Sequence, residues 1–196
     1  MADQHVASKS ERTKDRILDA AARTFREVGY TAASLRDIAE EAGMQAGSLY
    51  YHFESKEQLA EEVMTVGVDG SYATILSAMD DLSDTASTLD KLEAAFSAHL
   101  SYLLDQSDYA VAILRMLHQT PKPLRERILV RQRTFGQFFG QLLEQAQKEE
   151  AIKPGLDLSS LRMLVFGAMN WTPEWYTTPG LSPAELATQL RRMIER

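Results

Sequence analysis

Apolar residues recur at three- and four-residue spacing along nearly the whole chain. No run alternates apolar with polar positions between turn signals, so the pattern predicts an all-α fold. Ile17, Leu18, Ala21 and Phe25 form the first stripe and predict a helix over 13–28, stopped by Gly29. A second helix begins after Ser34, which makes an approximate capping box with Asp37. Leu35, Ile38, Ala39 and Ala42 are its buried side, and Gly43 is its end. A short third helix is predicted over 46–52. Ser55 and Gln58 form another capping box and open a long helix towards Met79. The acidic stretch from Asp80 to Thr88 is predicted as a loop. Further helices are predicted over 89–104, 109–118, 124–150 and 158–170. The last of these is capped by Asp157, and a final helix opens at Ser182-Pro183-Ala184-Glu185. The breaks are Thr120-Pro121-Lys122-Pro123, Lys153-Pro154-Gly155 and a connection from Thr172 to Leu181.

Composition narrows the function classes. The 196 residues, 44% of them hydrophobic, suit one or two small domains. The absence of cysteine excludes disulfides, thiolate metal sites and a cysteine nucleophile. No apolar run approaches the roughly 20 residues of a membrane helix. The first twelve residues are polar, which predicts a mobile tail over 1–12 and a cytoplasmic protein with no membrane partner. A net charge of -7 argues against nucleic acid, because cations meeting phosphates supply most of that affinity. The charge is uneven, however. Lys9, Arg12, Lys14, Arg16, Arg23 and Arg26 precede Val28, whereas Asp80, Asp81, Asp84, Glu149 and Glu150 lie further on. There is no glycine-rich phosphate loop and no paired-histidine metal spacing; His5, His52, His99 and His118 are scattered. The expectation is not an enzyme, with no cofactor and no metal.

Residues 35–53, LRDIAEEAGMQAGSLYYHF, carry the most chemistry. Two short helices meet at Gly43, which takes positive φ without steric cost, and Ile38, Ala39 and Leu49 are placed to lock them at a wide angle. The outward positions of the second helix are Gln45, Ala46, Ser48 and Tyr51. Glutamine can read adenine with two hydrogen bonds, and serine is a permissive base contact. Tyr50, His52 and Lys56 carry groups suited to phosphate oxygens. The alternative is a structural helical hairpin whose polar positions are merely solvated. A helical adaptor that binds only protein is a further alternative.

The strings RILDAAARTFREVGY, SLRDIAEEAG, GSLYYHF and SKEQL, between Thr13 and Leu59, resemble the DNA-binding domain of TetR-family regulators. The resemblance implies an N-terminal three-helix domain over 13–58. It also implies a helical domain over 59–196 that binds a small molecule and forms a homodimer, and double-stranded operator DNA as partner. By position it implies that Ser34 and Arg36 approach DNA, that Gln45, Ala46, Gly47 and Ser48 open the recognition helix, and that Tyr50, His52 and Lys56 meet phosphates. The family often has serine where Gln45 stands and a basic residue where Ala46 stands, so operator preference is expected to differ.

Beyond Leu89 the helices carry wide apolar faces: Leu92, Phe96, Leu100 and Leu103, then Phe135, Phe138, Phe139 and Leu142. Such stripes form a core more often than a pocket. Polar groups among apolar neighbours make His99, Tyr102, Arg115 and His118, with Phe135, Phe139, Phe166 and Trp171, the candidate ligand site. For any one histidine, an ordinary satisfied core or surface residue is the slightly favoured reading. Leu161, Leu164, Val165 and Ala168, with Leu186, Leu190, Met193 and Ile194, supply two further apolar helices. The resemblance assigns these to dimerisation; alternatively they complete a monomeric core. The string FGAMNWTPEWYTTPGLSPAELA predicts an aromatic corner of Asn170, Trp171, Trp175 and Tyr176 around Pro173. It resembles the tail of a TetR subset controlling lipid and steroid catabolism, some of which sense acyl-CoA thioesters. That implies an apolar effector with an anionic head, met by Arg115, Arg131 or Arg162.

Overall fold

A computed structural model of the chain describes residues 9–177 and 179–196. Nine α-helices follow in order among them: α1 Lys9–Ala32, α2 Leu35–Glu41, α3 Ala46–Leu49, α4 Lys56–Asp80, α5 Thr88–Ser101, α6 Asp108–Met116, α7 Lys122–Lys148, α8 Leu158–Trp175 and α9 Pro183–Ile194. A π-helical turn, Tyr102–Gln106, extends α5, and a 3-10 turn, Leu117–Gln119, closes α6. Lys9 to Arg12 belong to α1 rather than to a tail, and the rest of the predicted tail lies outside the described residues.

The caps follow the residues that predict them. Ser34 Oγ accepts from the Asp37 amide while the Asp37 carboxylate accepts from the Ser34 amide, so this capping box is complete. At α4 the reciprocal bond moves one residue outward: Ser55 Oγ accepts from the Gln58 amide, but Gln58 Oε1 accepts from the Glu54 amide at 2.8 Å. Ser87 with Asp90 and Ser182 with Glu185 make two further boxes.

Two cores share long helices. The first gathers α1, α2, α3 and the first half of α4, and it extends to Ala112, Ile113 and Met116 of α6 and Leu124 and Ile128 of α7. The second joins the far end of α4 to α5, α7, α8 and α9. Helix α4 therefore enters both cores, and α6 packs along α1.

α8 runs through Pro173 to Trp175, where the sequence pattern predicts a connection and an aromatic corner. Pro173 has no N–H to give to the carbonyl of Met169, four residues back. The Thr172 hydroxyl donates to that carbonyl instead, at 2.6 Å, and the helix continues. Trp171 and Trp175 consequently stand on the outer side of a helix rather than in a corner.

Candidate DNA-reading surface and effector cavity

The turn between α2 and α3 sets how the reading helix is presented. Gly43 has φ +63°; its amide donates to Glu40 O, and the Met44 amide donates to Ala39 O, both at 2.9 Å. A Cβ on Gly43 would touch nothing, so glycine is needed there for its backbone angle and not for space. Ile38, Ala39, Leu49 and Phe53 are fully buried and root the pair of helices in the first core.

Around that root the outward residues are free. Arg36, Gln45, Gly47, Ser48, Tyr50 and Tyr51 are exposed, with Tyr51 at 91%. Ala46 and His52 are half-buried. Gln45 occupies the N-cap position of α3 without capping it through its side chain, so its amide remains available for a base edge. Two expected DNA residues are engaged inside the protein. The Ser34 hydroxyl belongs to its capping box. Lys56 turns inward: its ammonium donates to Tyr30 O and Ala33 O at 2.9 Å each and lies 4.5 Å from the centroid of the Tyr30 ring. A lysine beside two carbonyls and an aromatic face is better satisfied there than in water, so Lys56 fastens α4 to the end of α1 instead of reaching outward. The basic cluster is also partly spent internally. Lys14 pairs with Glu62, Arg23 with Glu41 and Arg26 with Asp108, leaving Lys9, Arg12 and Arg16 at exposed positions outside those pairs.

A cavity of about 420 Å³ opens between α4, α5, α6, α7 and α8. That volume lies within the range of small-molecule sites. Of the sequence candidates, His99, Phe135 and Phe166 line it. Phe139 lies behind them, with ring centroids 5.3 Å from Phe135 and 4.9 Å from Phe166. Tyr102 is tucked against Gly70 of α4, and its neighbour Leu103 faces the cavity in its place. His118 is exposed. Arg115 is exposed too and donates to Arg26 O on the α1 side of α6. Trp171 is on the outer surface of α8. Of the three arginines expected near a phosphate, Arg131 is held by both oxygens of Asp69, and only Arg162 lines the cavity, where it donates to Gly136 O at 2.9 Å. The sequence reading missed Arg133, Ser71 and Asn170, all lining residues. Position 133 is polar on a largely polar helix face, and no spacing signal distinguishes it.

His99 is the buried titratable group of the cavity. Nδ1 lies 3.0 Å from Ser71 Oγ and Nε2 lies 3.1 Å from Asn170 Oδ1. Burial penalises the charged ring and pushes its pKa down from the ordinary 6.5 to about 4, against the smaller upward pull of Asn170. The unfolded chain therefore takes up a proton between those values that the folded chain refuses. Stability is full above pH 6.5 and is lost as the pH falls towards 4, by about 1.4 kcal/mol per pH unit. His99→Gln is expected to flatten that part of a melting-temperature profile, and an unchanged slope would assign it to other groups.

The outer side of α8 is apolar. Met163, Leu164, Ala168, Trp171 and Trp175 are exposed along one stripe, and Met193 of α9 is exposed as well, with Leu164 at 72%. Within one protomer the residues expected at the dimer interface divide. Val165 is buried in the second core, and Leu161, Leu186 and Leu190 are half-buried against it. Leu164, Ala168 and Met193 alone of that set face outward. Both sides of these helices are apolar, so periodicity marks two stripes without saying which one the protomer's own core covers.

A helix-turn-helix with a bare reading helix, joined through shared helices to an apolar cavity, defines the class of helical DNA-binding regulators. The comparisons place the chain within that class. Residues 17–63 match the family model described as bacterial regulatory proteins, tetR family, and residues 85–196 match that of the tetracyclin repressor-like C-terminal domain. The chain belongs to the TetR family. A relative, the HTH-type transcriptional repressor KstR2 of Mycolicibacterium smegmatis, is 30% identical over 90% of this chain and 85% of its own length. The fatty acid metabolism regulator protein of Bacillus subtilis is 26% identical over 80% of this chain and 79% of its own. Among solved structures, AibR in complex with isovaleryl coenzyme A and operator DNA superposes with TM-score 0.82 at 25% identity, covering 92% of this chain and 97% of that one. No helix among the described residues is long and apolar enough to cross a membrane.

Proposed function

We propose that the chain is a homodimeric repressor that releases a palindromic operator when an apolar effector with an anionic end, of the acyl-CoA thioester kind, enters the cavity. The observation that carries this reading is the position of α6. Its Ala110, Ile113 and Leu114 line the cavity. Its other side grips α1: Asp108 pairs with Arg26, the Tyr109 hydroxyl donates to Asp19 Oδ1 at 2.7 Å, and Arg115 donates to Arg26 O. An effector that fits only when α6 is displaced draws α1, and with it the reading helix, away from the DNA-bound setting. The ligand shifts the equilibrium by the difference between its affinities for the two states. Arg133 and Arg162 offer charge for an anionic group, and the apolar walls suit an acyl chain. The complex of AibR with isovaleryl coenzyme A and operator DNA supports both halves of the proposal. Two copies are required because one short helix reads too few base pairs. The exposed stripe on α8 and α9 is the surface that a second copy would cover.

The test is a titration with mixed genomic fragments at two salt concentrations, with and without medium-chain acyl-CoA. A preferred fragment, a steep salt slope and release by the thioester are expected. Retention of no fragment would favour a protein-binding adaptor. On the selected fragment, Tyr50→Ala is expected to weaken binding by about tenfold across sequences, as loss of a phosphate contact does, while Gln45→Ala changes base preference. An unchanged preference in Gln45→Ala would remove the base-reading role.

A further inference from the structure

Three helices are joined across the cavity wall by one hydrogen-bonded chain: Ser71 of α4, His99 of α5 and Asn170 of α8. Its direction is fixed by its end. Asn170 Oδ1 can only accept, so His99 Nε2 carries the ring proton; the neutral ring then accepts at Nδ1, and the Ser71 hydroxyl donates. With its oxygen engaged, the Asn170 carboxamide turns its two N–H donors away from His99. They meet no partner among the described residues, yet no buried side-chain nitrogen or oxygen there is left unpaired. The amide nitrogen is therefore accessible, on a residue that lines the cavity.

Its surroundings limit what it can meet. Leu103, Ile113, Phe135 and Phe166 form apolar walls, and no carboxylate among the described side chains lines the cavity. Arg162 also lines it, but eight residues of α8 separate it from Asn170, about 12 Å along the helix. An anionic group at Arg162 and a group at Asn170 are thus at different ends of any occupant.

We infer that the cavity selects, besides an apolar body, one uncharged oxygen acceptor — a ketone or an ester- or thioester-type carbonyl — received by the Asn170 amide. His99 and Ser71 are positioning residues that hold the amide's donors towards the cavity. This rests on the reading of the cavity as the effector site and narrows the chemistry admitted there. A donor that a hydrocarbon covers without matching loses its hydrogen bond to water without replacement, so the discrimination is greater than an amide left in water would give.

The experiment uses the full chain and two probes of one carbon skeleton, benzylacetone and butylbenzene, each displacing anilinonaphthalene sulfonate. Asn170→Leu and the equally sized Asn170→Asp are each expected to weaken benzylacetone by at least about tenfold while leaving butylbenzene within a factor of two to three. Ser71→Ala is expected to give a smaller loss of the same kind. Because Asn170→Asp keeps the side-chain volume, a folding defect in Asn170→Leu does not decide the outcome. Equal changes for both probes, or no change for benzylacetone, would overturn the carbonyl site and leave the effector cavity standing. Failure of both probes and of the dye to bind the unaltered protein would overturn the two together.

Discussion

Leu164→Glu is expected to yield a folded monomer that has lost its operator, whereas Val165→Glu, one residue along, is expected to destabilise the protomer itself strongly. The two side chains point about 100° apart around α8, one outward and one into the core. Leu164 is 72% exposed on the apolar stripe with Met163, Trp171 and Met193. Val165 lies in the second core with Phe139, Met169 and Ile194. A glutamate at 164 is solvated in the protomer and becomes a desolvated, unpaired charge only when a second copy covers it, so the penalty falls on association. A single protomer keeps one half-site, and affinity for the palindrome is expected to fall about a thousandfold or more, towards the non-specific level. At 165 the same charge is buried in the protomer itself. The cost is then about 3–5 kcal/mol, a large part of the roughly 5–15 kcal/mol that holds a domain together. Light scattering, circular dichroism and operator titration separate the outcomes. A Leu164→Glu protein still at dimer mass would remove this face from the interface.

Gly29→Ala carries the next largest expected effect. α1 bends at Gly29, where φ is 76° and ψ is 177°, a region that costs any residue with a Cβ about 1–3 kcal/mol. The new Cβ would also stand 2.6 Å from Gln119 Oε1, the oxygen that accepts from the Thr31 amide at 3.0 Å. That carboxamide swings aside at little cost to itself, but the bond tying the turn before α2 to the end of α6 is lost. The melting temperature is expected to drop by roughly 5–10 °C. Operator affinity is expected to fall about tenfold, with dye binding in the cavity unchanged. Gln119→Ala removes the tie without the backbone strain, so it is expected to reproduce the affinity loss with a much smaller drop in melting temperature. A Gly29→Ala protein that melts normally would show that the bend relaxes at no cost.

The parts legible in the sequence are those with local causes. Ser34, Asp157 and Ser182 start helices because their side chains accept hydrogen bonds from amides two or three residues on, and Gly43 ends α2 because only its backbone angle closes that turn. The reading helix was legible for the same reason: its root, Leu49 and Phe53, and its free positions, Gln45, Ser48, Tyr50 and Tyr51, lie within nine residues. The inward hydrogen bonds of Lys56 were not legible, because its partners, Tyr30 O and Ala33 O, are backbone groups distant in sequence. Helix α8 extends past its predicted end because a threonine hydroxyl replaces the hydrogen bond that Pro173 lacks, and spacing does not show where a hydroxyl points.

The cavity was partly hidden for a related reason. His99, Phe135 and Phe166 were marked by their chemistry, but Tyr102, Phe139 and Trp171 have equally suitable chemistry and face other ways. Arg115 and Arg133 are alike in sequence, and only packing sets one on α1 and the other at the cavity.

The sequence by itself determined the all-α architecture, the helix starts and the bare reading helix, because periodicity, caps and turn residues act over a few positions. Only the tertiary structure decided which apolar stripe of α8 is core and which is outer surface, which arginine reaches the cavity, and that Ser71, His99 and Asn170 form one chain. Those outcomes depend on residues from separate helices meeting in space, and no local preference encodes such a meeting.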